Sequence, residues 1–167
     1  MMQAHITQIE KRSDIKLAII SPDGRDAMLQ HAEQLKAAML AATGIYFPDP
    51  QLATAGIHFM KVLNGLGIAE TVAPKLRPFP NGNTAMNAMA ACDDPHVIGC
   101  TQVTEILITE GVDLVANLPL EFELATMYTA GVRSTSTCKV EAQAMIDILT
   151  SPEQAALRAK GGFLPVA

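Results

Sequence analysis

The stretch GIYFPDPQLATAGIHFMKVL, residues 44–63, contains a complete strand-to-helix transition. Ile45-Tyr46-Phe47 is a short apolar run typical of a buried strand, and Pro48-Asp49-Pro50 ends it. Thr54-Ala55-Gly56 then begins a helix whose apolar residues recur at helical spacing as far as Gly65. The stretch therefore predicts a strand followed by a helix with small residues in its first turn.

The same alternation of strands and helices continues on both sides of this stretch. Further strands are predicted at residues 15–20, 75–79, 97–101 and 112–116. Further helices are predicted at residues 27–42 and 69–73, after the turn Pro80-Asn81-Gly82-Asn83, and at residues 103–108. Strands that alternate with helices at this spacing favour an α/β fold with a mostly parallel sheet covered on both faces.

The last third of the chain follows a different pattern. Residues 122–132 are predicted to form a long strand, and a helix is predicted at residues 139–149. Ser151-Pro152-Glu153-Gln154 has the pattern of a capping box with proline at the first helical position, so it predicts the start of a final helix. Gly161-Gly162 is predicted to end that helix.

Composition narrows the classes of partner. The chain has 167 residues, a net charge of −5 and 49% hydrophobic residues, with no apolar run near the ~20 residues that span a bilayer. Lysines and arginines are few and scattered, so nucleic acid and anionic membranes are poor partners. Residues 1–7 lack a basic segment followed by an apolar one, so we expect a protein that stays inside or a chain that begins downstream of an export signal.

An enzymatic function has little support in the sequence. No nucleophile elbow, zinc-protease motif or P-loop is present, and we assign no catalytic residue, metal site or cofactor. Cys100 at a strand end and the helical His58 are the only residues that resemble catalytic candidates. The spacing of Cys92, Cys100 and Cys138 excludes a CxxC motif, and leaves free thiols or a Cys92–Cys100 disulfide open.

Three strand ends carry residues suited to holding a small anion. Thr54-Ala55-Gly56, Gly82-Asn83-Thr84 and Thr101-Gln102 each follow a predicted strand. A helix N-terminus offers unpaired main-chain N–H donors and a partial positive charge, so two that converge hold an oxyanion without lysine or arginine. The simpler interpretation is that Thr54 and Asn83 only cap their helices. The two interpretations are compatible, because a cap uses only some of the amides.

Several segments, in order, resemble a known family. Residues 49–63, 66–68, 98–107, 111–115, 127–132, 149–154 and 159–163 are similar to the molybdate-binding-protein-like family of periplasmic (type II) ABC-transporter substrate-binding proteins. The resemblance covers residues 15–167 and rests on the series of segments, since no single motif in it is highly specific. It implies a type II periplasmic-binding fold: two α/β lobes joined by hinge strands, with the ligand between them.

The resemblance also implies a ligand, a partner and a location. The ligand would be a small anion such as molybdate or tungstate, or an organic anion, the partner the membrane component of an ABC transporter, and the location the periplasm if an export signal precedes the chain. By position, the second-lobe ligand-binding residues are Thr54, Ala55, Gly56, Gly82, Asn83, Thr84, Thr101 and Gln102. The best-known family members carry a tyrosine where Gln102 stands, so the ligand's identity is left open.

The family's opening βαβ segment, which supplies serine ligands from the first lobe, has no counterpart here. We therefore expect a lead-in at residues 1–14, one complete three-layer α/β lobe with the first hinge strand at 15–121, and the return hinge strand and C-terminal helices of a partial first lobe at 122–167. Two hypotheses follow: a binding module, or an interaction module that dimerises through the exposed hinge strands and C-terminal helices without a ligand. An enzyme is a distant third.

Overall fold

The computed structural model describes residues 12–19 and 32–164. The strands are β1 (Arg12–Ile19), β2 (Gly44–Pro48), β3 (Leu76–Phe79), β4 (Val97–Gln102), β5 (Leu114–Asn117) and β6 (Ala125–Met127). The helices are α1 (Ala32–Ala41), α2 (Thr54–Gly65), α3 (Ala69–Val72), α4 (Gly82–Ala90), α5 (Val103–Leu107), α6 (Lys139–Thr150) and α7 (Ala155–Lys160). Single turns of 3₁₀ helix lie at Ala73–Lys75, Leu120–Phe122 and Pro152–Gln154.

The chain divides into two compact units. One unit is Asp14–Ala125, and the other consists of residues 1–13 together with Thr126–Ala167. The predicted α/β fold is confirmed in the first unit. The assignment of the two units to the lobes of a binding protein, with the boundaries given above, stays a prediction.

The sheet of the first unit has the strand order β3-β2-β4-β1-β5. β2 is parallel to β3 and to β4, whereas β1 is antiparallel to both β4 and β5. Four of these five strands therefore point the same way, and β1 alone is reversed. The mostly parallel sheet was predicted; the reversal of β1 was not, because the period of a strand says nothing about its direction.

Alternate side chains of β2 and β4 supply the two faces of the sheet. Ile45 and Phe47 of β2 and Ile98 and Cys100 of β4 pack in one core cluster with α1, α2 and α3. The helical members of that cluster are Leu35, Met39, Ala55, Phe59, Val62, Leu63 and Val72. Burial of this apolar surface is what holds these helices on the sheet.

The opposite face of the sheet carries α4 and α5. Val97 packs in a second cluster with Ala85, Met86 and Met89 of α4 and Ile106 of α5. A methyl group at Gly99 would come within 2.6 Å of the Met86 side chain and 2.8 Å of the Met89 sulfur. Glycine at this position of β4 therefore lets α4 approach the sheet closely.

Several predicted boundaries in the first unit differ from the structure. β1 already includes residues 12–14, which were expected in the lead-in, and β5 is Leu114–Asn117 rather than residues 112–116. The turn predicted at residues 21–24, the first residues of the predicted helix 27–42 and most of the lead-in lie outside the described residues. The remaining helices and strands of the unit agree with prediction to within one or two residues.

The long strand predicted at residues 122–132 is wrong. Only Ala125–Met127 is a strand, preceded by the 3₁₀ turn Leu120–Phe122. The alternation in this segment is outweighed by the turn that follows Pro119. Phe122 uses that turn to lie against α2, because its ring is 3.0 Å from the position of a methyl group at Gly65.

In the C-terminal segment, residues 126–164, the two predicted helices are confirmed but the predicted capping box is not. The side chain of Ser151 makes no capping hydrogen bond, and the segment after it is a 3₁₀ turn that leads into α7. The Arg158 guanidinium instead holds the turn between α6 and α7, donating to the carbonyl oxygens of Leu149 at 2.9 Å and Ser151 at 2.7 Å. The helix ends at Lys160, as predicted from Gly161-Gly162.

Candidate functional site

The carboxyl ends of β2, β3 and β4 meet at one edge of the sheet because these strands run parallel. α2 begins after β2, α4 after β3 and α5 after β4, so three helices start at this edge. α2 lies on one face of the sheet, and α4 and α5 lie on the other. After β2 the chain continues over one face of the sheet, and after β3 it continues over the other face. The connections therefore change sides beside β2, and open α/β sheets bind ligands at such a switch point.

The start of α2 has main-chain donors without partners in their own helix. Its N-cap residue is Ala53, which makes no side-chain capping bond, and the Thr54 predicted to cap the helix is its first helical residue. The carboxylate of Asp49 turns the preceding loop by accepting from the amides of Gln51 at 2.7 Å and Leu52 at 2.8 Å. The amides of the first helical turn, from Thr54 to Gly56, have no partner within their own helix.

The start of α4 is capped by a residue that the sequence interpretation did not select. Oδ1 of Asn81 accepts from the main-chain N and from Oγ1 of Thr84, both at 2.9 Å. Asn83, predicted to be the cap, instead accepts from the Asn87 amide at its carbonyl oxygen and at Oδ1. The cap therefore uses the third amide of the helix, and the amides of Gly82 and Asn83 keep no intrahelical partner.

A third group at the same edge joins β4, α4 and α5. Thr101 is fully buried, and its hydroxyl donates to Oε2 of Glu105 in the first turn of α5. A methyl group at Gly82 would lie 1.9 Å from that carboxylate oxygen and 2.0 Å from the Thr101 hydroxyl oxygen. Gly82, Thr101 and Glu105 are therefore in direct contact, and only glycine fits at the first residue of α4.

Glu105 is the residue that sequence reasoning missed. It was not selected from the sequence, whereas the structure places it half-buried beside Gly82 and Thr101. Its spacing of four residues from Thr101 was visible in the sequence. That spacing gains meaning only once β4 is known to end at Gln102, with α5 starting at the next residue.

The structure thus brings some of the predicted ligand-binding residues together and leaves others apart. Gly82 and Thr101 touch, whereas Gly56 lies against the carbonyl oxygens of Pro48 and Asp49 at the end of β2. Gln102 is the N-cap residue of α5 and is half-buried. All the predicted residues lie at the carboxyl end of β4 or at the helix starts that follow β2 and β3, so they share one edge of the sheet but not one face.

The two candidates for catalysis lose their support. Cys100 is completely buried in the core beneath α2, where desolvation raises the pKa of its thiol and keeps it protonated. The ring nitrogen Nε2 of His58 lies 2.7 Å from the carbonyl oxygen of Phe122, to which it donates. Cys92, Cys100 and Cys138 are all free thiols, so the alternative of a Cys92–Cys100 disulfide is wrong.

Two further properties concern the described part of the chain. No group of three or more histidine, cysteine, aspartate or glutamate side chains in it is arranged to hold a metal ion. None of its helices has both the length and the apolar character that a membrane crossing requires.

Comparison with known families decides the class of protein. Residues 13–164 match the model of a family described as bacterial extracellular solute-binding protein. The chain belongs to this family of solute-binding proteins. Proteins of this family bind solutes and are not enzymes.

Solved structures show the same fold for this solute-binding protein. It is similar to the periplasmic molybdate-binding protein of Azotobacter vinelandii, with 16% identity and a TM-score of 0.70 over 99% of this chain and 70% of that one. It is also similar to the substrate-binding domain of a putative molybdenum ABC transporter from Clostridium difficile, with 14% identity and a TM-score of 0.64 over 94% and 65%. The sulfate-binding protein of Mycobacterium tuberculosis H37Rv matches at 14% identity and a TM-score of 0.66 over 95% and 58%.

These likenesses establish a type II periplasmic-binding fold, as the sequence resemblance implied. The chain spans between 58% and 70% of the length of these three solved structures. No curated protein matches the sequence.

Proposed function

We propose that this solute-binding protein holds a small anion at the helix N-termini along the carboxyl edge of its sheet, as the binding component of an ABC-type uptake system. The observation that carries the proposal is that α2 and α4 both begin at this edge with first-turn amides that lack intrahelical partners. The caps leave these donors in place, since Asn81 uses only the third amide of α4.

Main-chain amides suit the charge of the protein. With a net charge of −5, the chain attracts no anion by its overall field. A helix N-terminus carries about half a positive charge, so aligned helices bind an anion locally without lysine or arginine. The predicted ligand-binding residues Thr54, Ala55, Gly56, Gly82, Asn83, Thr84, Thr101 and Gln102 contain no basic side chain, in agreement with this mode of binding.

The names of the similar structures supply the ligand class to test. Two refer to molybdate or molybdenum and one to sulfate. In a type II protein the anion is held between two lobes, and this chain spans only part of that length. We therefore expect binding in the micromolar to millimolar range, because water remains in contact with the ligand.

Isothermal titration calorimetry of the purified chain with molybdate, tungstate, sulfate and phosphate tests the proposal. Thr54→Asp places a carboxylate at the exposed first residue of α2, where it stabilises the helix but repels an anion. We expect this variant to lose at least about tenfold in affinity. Ala155→Asp adds the same charge at the exposed first residue of α7 and should bind like the unchanged protein.

Two results would contradict the proposal. One is the absence of saturable heat with every anion, and the other is equal affinity of Thr54→Asp and Ala155→Asp. Light scattering on the same samples separates the proposal from the dimerisation hypothesis, because a stable dimer without an anion response is expected only if the chain is an interaction module. We also propose that the membrane component of an ABC transporter is the partner of this protein and that it acts outside the cytoplasm.

A further inference from the structure

The Thr101–Glu105 pair offers hydrogen-bond acceptors and no donor. A threonine hydroxyl has one hydrogen, and Thr101 gives it to the Glu105 carboxylate. Thr101 is fully buried, so water does not compete for that hydrogen. What remains available to a ligand from this pair is lone pairs on the carboxylate and hydroxyl oxygens.

The pair lies beside the amides that the proposed function uses. Glu105 Oε2 and Thr101 Oγ1 both lie where a methyl group on Gly82 would be, and Gly82 is the first residue of α4. An anion held by the amides of Gly82 and Asn83 therefore has a carboxylate as its immediate neighbour. Donors and acceptors stand next to each other at the start of this helix.

This arrangement should bind two kinds of anion with different affinity. A fully ionised oxyanion presents only acceptors, so against Glu105 it meets like charge and leaves lone pairs without partners. An anion with its own O–H accepts from the α4 amides with one oxygen and donates to the carboxylate with another. Sites that hydrogen-bond a ligand hydroxyl reject analogues without it far more strongly than apolar pockets reject a change in size.

We propose that Glu105 is a specificity-determining residue that accepts a hydrogen bond from the ligand, so that the chain selects small anions carrying a hydroxyl hydrogen over fully ionised oxyanions. The proposal rests on the proposed function, and it narrows the ligand class to hydrogen phosphate or hydroxy acids rather than molybdate or sulfate. Gly82 is required because any side chain there would separate the carboxylate from the helix.

A purely structural role for Glu105 has a different consequence. A carboxylate at helix N-termini stabilises the helices whatever the ligand. Removing its charge would then weaken the fold and change the affinity for all anions in the same direction and by similar factors. A change in the ratio of two affinities is expected only if the carboxylate meets the ligand.

The test compares phosphate with sulfate, which match in size and shape, by calorimetry at pH 7 and constant ionic strength. The unchanged protein should bind phosphate at least about tenfold more tightly than sulfate. In Glu105→Gln, the amide oxygen still accepts from Thr101 while the amide nitrogen donates, so the preference should fall by at least about tenfold or reverse. Glu110→Gln makes the same change of charge at an exposed position and should keep the original ratio.

A second pair of probes identifies the source of the hydroxyl. Lactate and propionate differ by one hydroxyl group, so tighter binding of lactate that is lost in Glu105→Gln would indicate a hydroxy acid rather than a phosphate. An unchanged phosphate-to-sulfate ratio in Glu105→Gln, or a preference for sulfate or molybdate in the unchanged protein, overturns the inference and leaves the proposed function standing. The absence of binding by every probe overturns both.

Discussion

The α carbon of Gly56 lies directly against the main-chain carbonyl oxygen of Asp49, so a methyl group at Gly56 would come within 2.2 Å of that oxygen. The carbonyl oxygen of Pro48 is equally close to the same position. Both neighbours are backbone atoms at the end of β2, so neither moves aside by a change of rotamer. The start of α2 is therefore fixed on the strand by contact between two backbones.

Gly56→Ala should destabilise the protein by about 3 kcal/mol, because the helix start must shift away from the strand. Gly67→Ala is the control, since a methyl group there meets nothing within 4 Å and its φ of +66° alone opposes the substitution. The control should cost about 1–2 kcal/mol. The measurement is the free energy of unfolding in urea, and an equal or smaller loss for Gly56→Ala would contradict the close packing of α2 on β2.

Asn81 rather than Asn83 should stabilise the start of α4 as its N-cap residue. Asn81→Ala removes the acceptor of the Thr84 amide and should cost about 1 kcal/mol, whereas Asn83→Ala should cost less than about 0.5 kcal/mol. Chemical denaturation of the two variants, side by side, measures the difference. Losses in the opposite order would mean that the cap is misassigned.

The three cysteines should differ sharply in reactivity towards iodoacetamide. The thiolate is the reactive form, so exposed Cys138 should be labelled first and half-buried Cys92 more slowly. Cys100 should react only in denaturant, because burial raises its pKa. Peptide mass spectrometry after timed labelling gives the order, with Cys138→Ser removing the fast step. Rapid native labelling of Cys100 would be incompatible with its place in the core.

Asp94 should titrate below its usual pKa of 3.8, because the Thr43 hydroxyl and the main-chain N–H of His96 both donate to its ionised carboxylate. The folded protein favours the charged form, so this contribution to stability is present above pH 3.8 and is lost as the pH falls through the lowered pKa. Carboxyl NMR titration measures the midpoint directly.

Thr43→Val removes the hydroxyl donor at nearly constant volume, so the midpoint of Asp94 should move up towards its usual value. Thr71→Val makes the same change at an exposed position of α3 and should leave that midpoint where it was. A midpoint that does not move in Thr43→Val would show that the hydroxyl is not what stabilises the carboxylate.

Local sequence patterns predicted most of the fold in the unit that contains the candidate site. The run Ile45-Tyr46-Phe47 and the helix from Thr54 are where the sequence indicated, because hydrophobic period and turn residues act within a few positions of each other. Where the pattern was weak, prediction failed. Residues 122–132 alternate enough to resemble a strand, but a 3₁₀ turn follows Pro119, Phe122 packs on α2, and only Ala125–Met127 is a strand.

The sequence by itself determined the α/β class, the helix start at Thr54 and the absence of basic side chains among the predicted ligand-binding residues. Only the tertiary structure decided that β1 runs against its neighbours, and that Gly82, Thr101 and Glu105 meet. The physical reason is the distance along the chain over which each effect acts. Helix propensity, capping and hydrophobic periodicity act over the length of one or two helical turns. The contact of α4 with the end of β4 exists only after the sheet has brought segments some twenty residues apart to one edge.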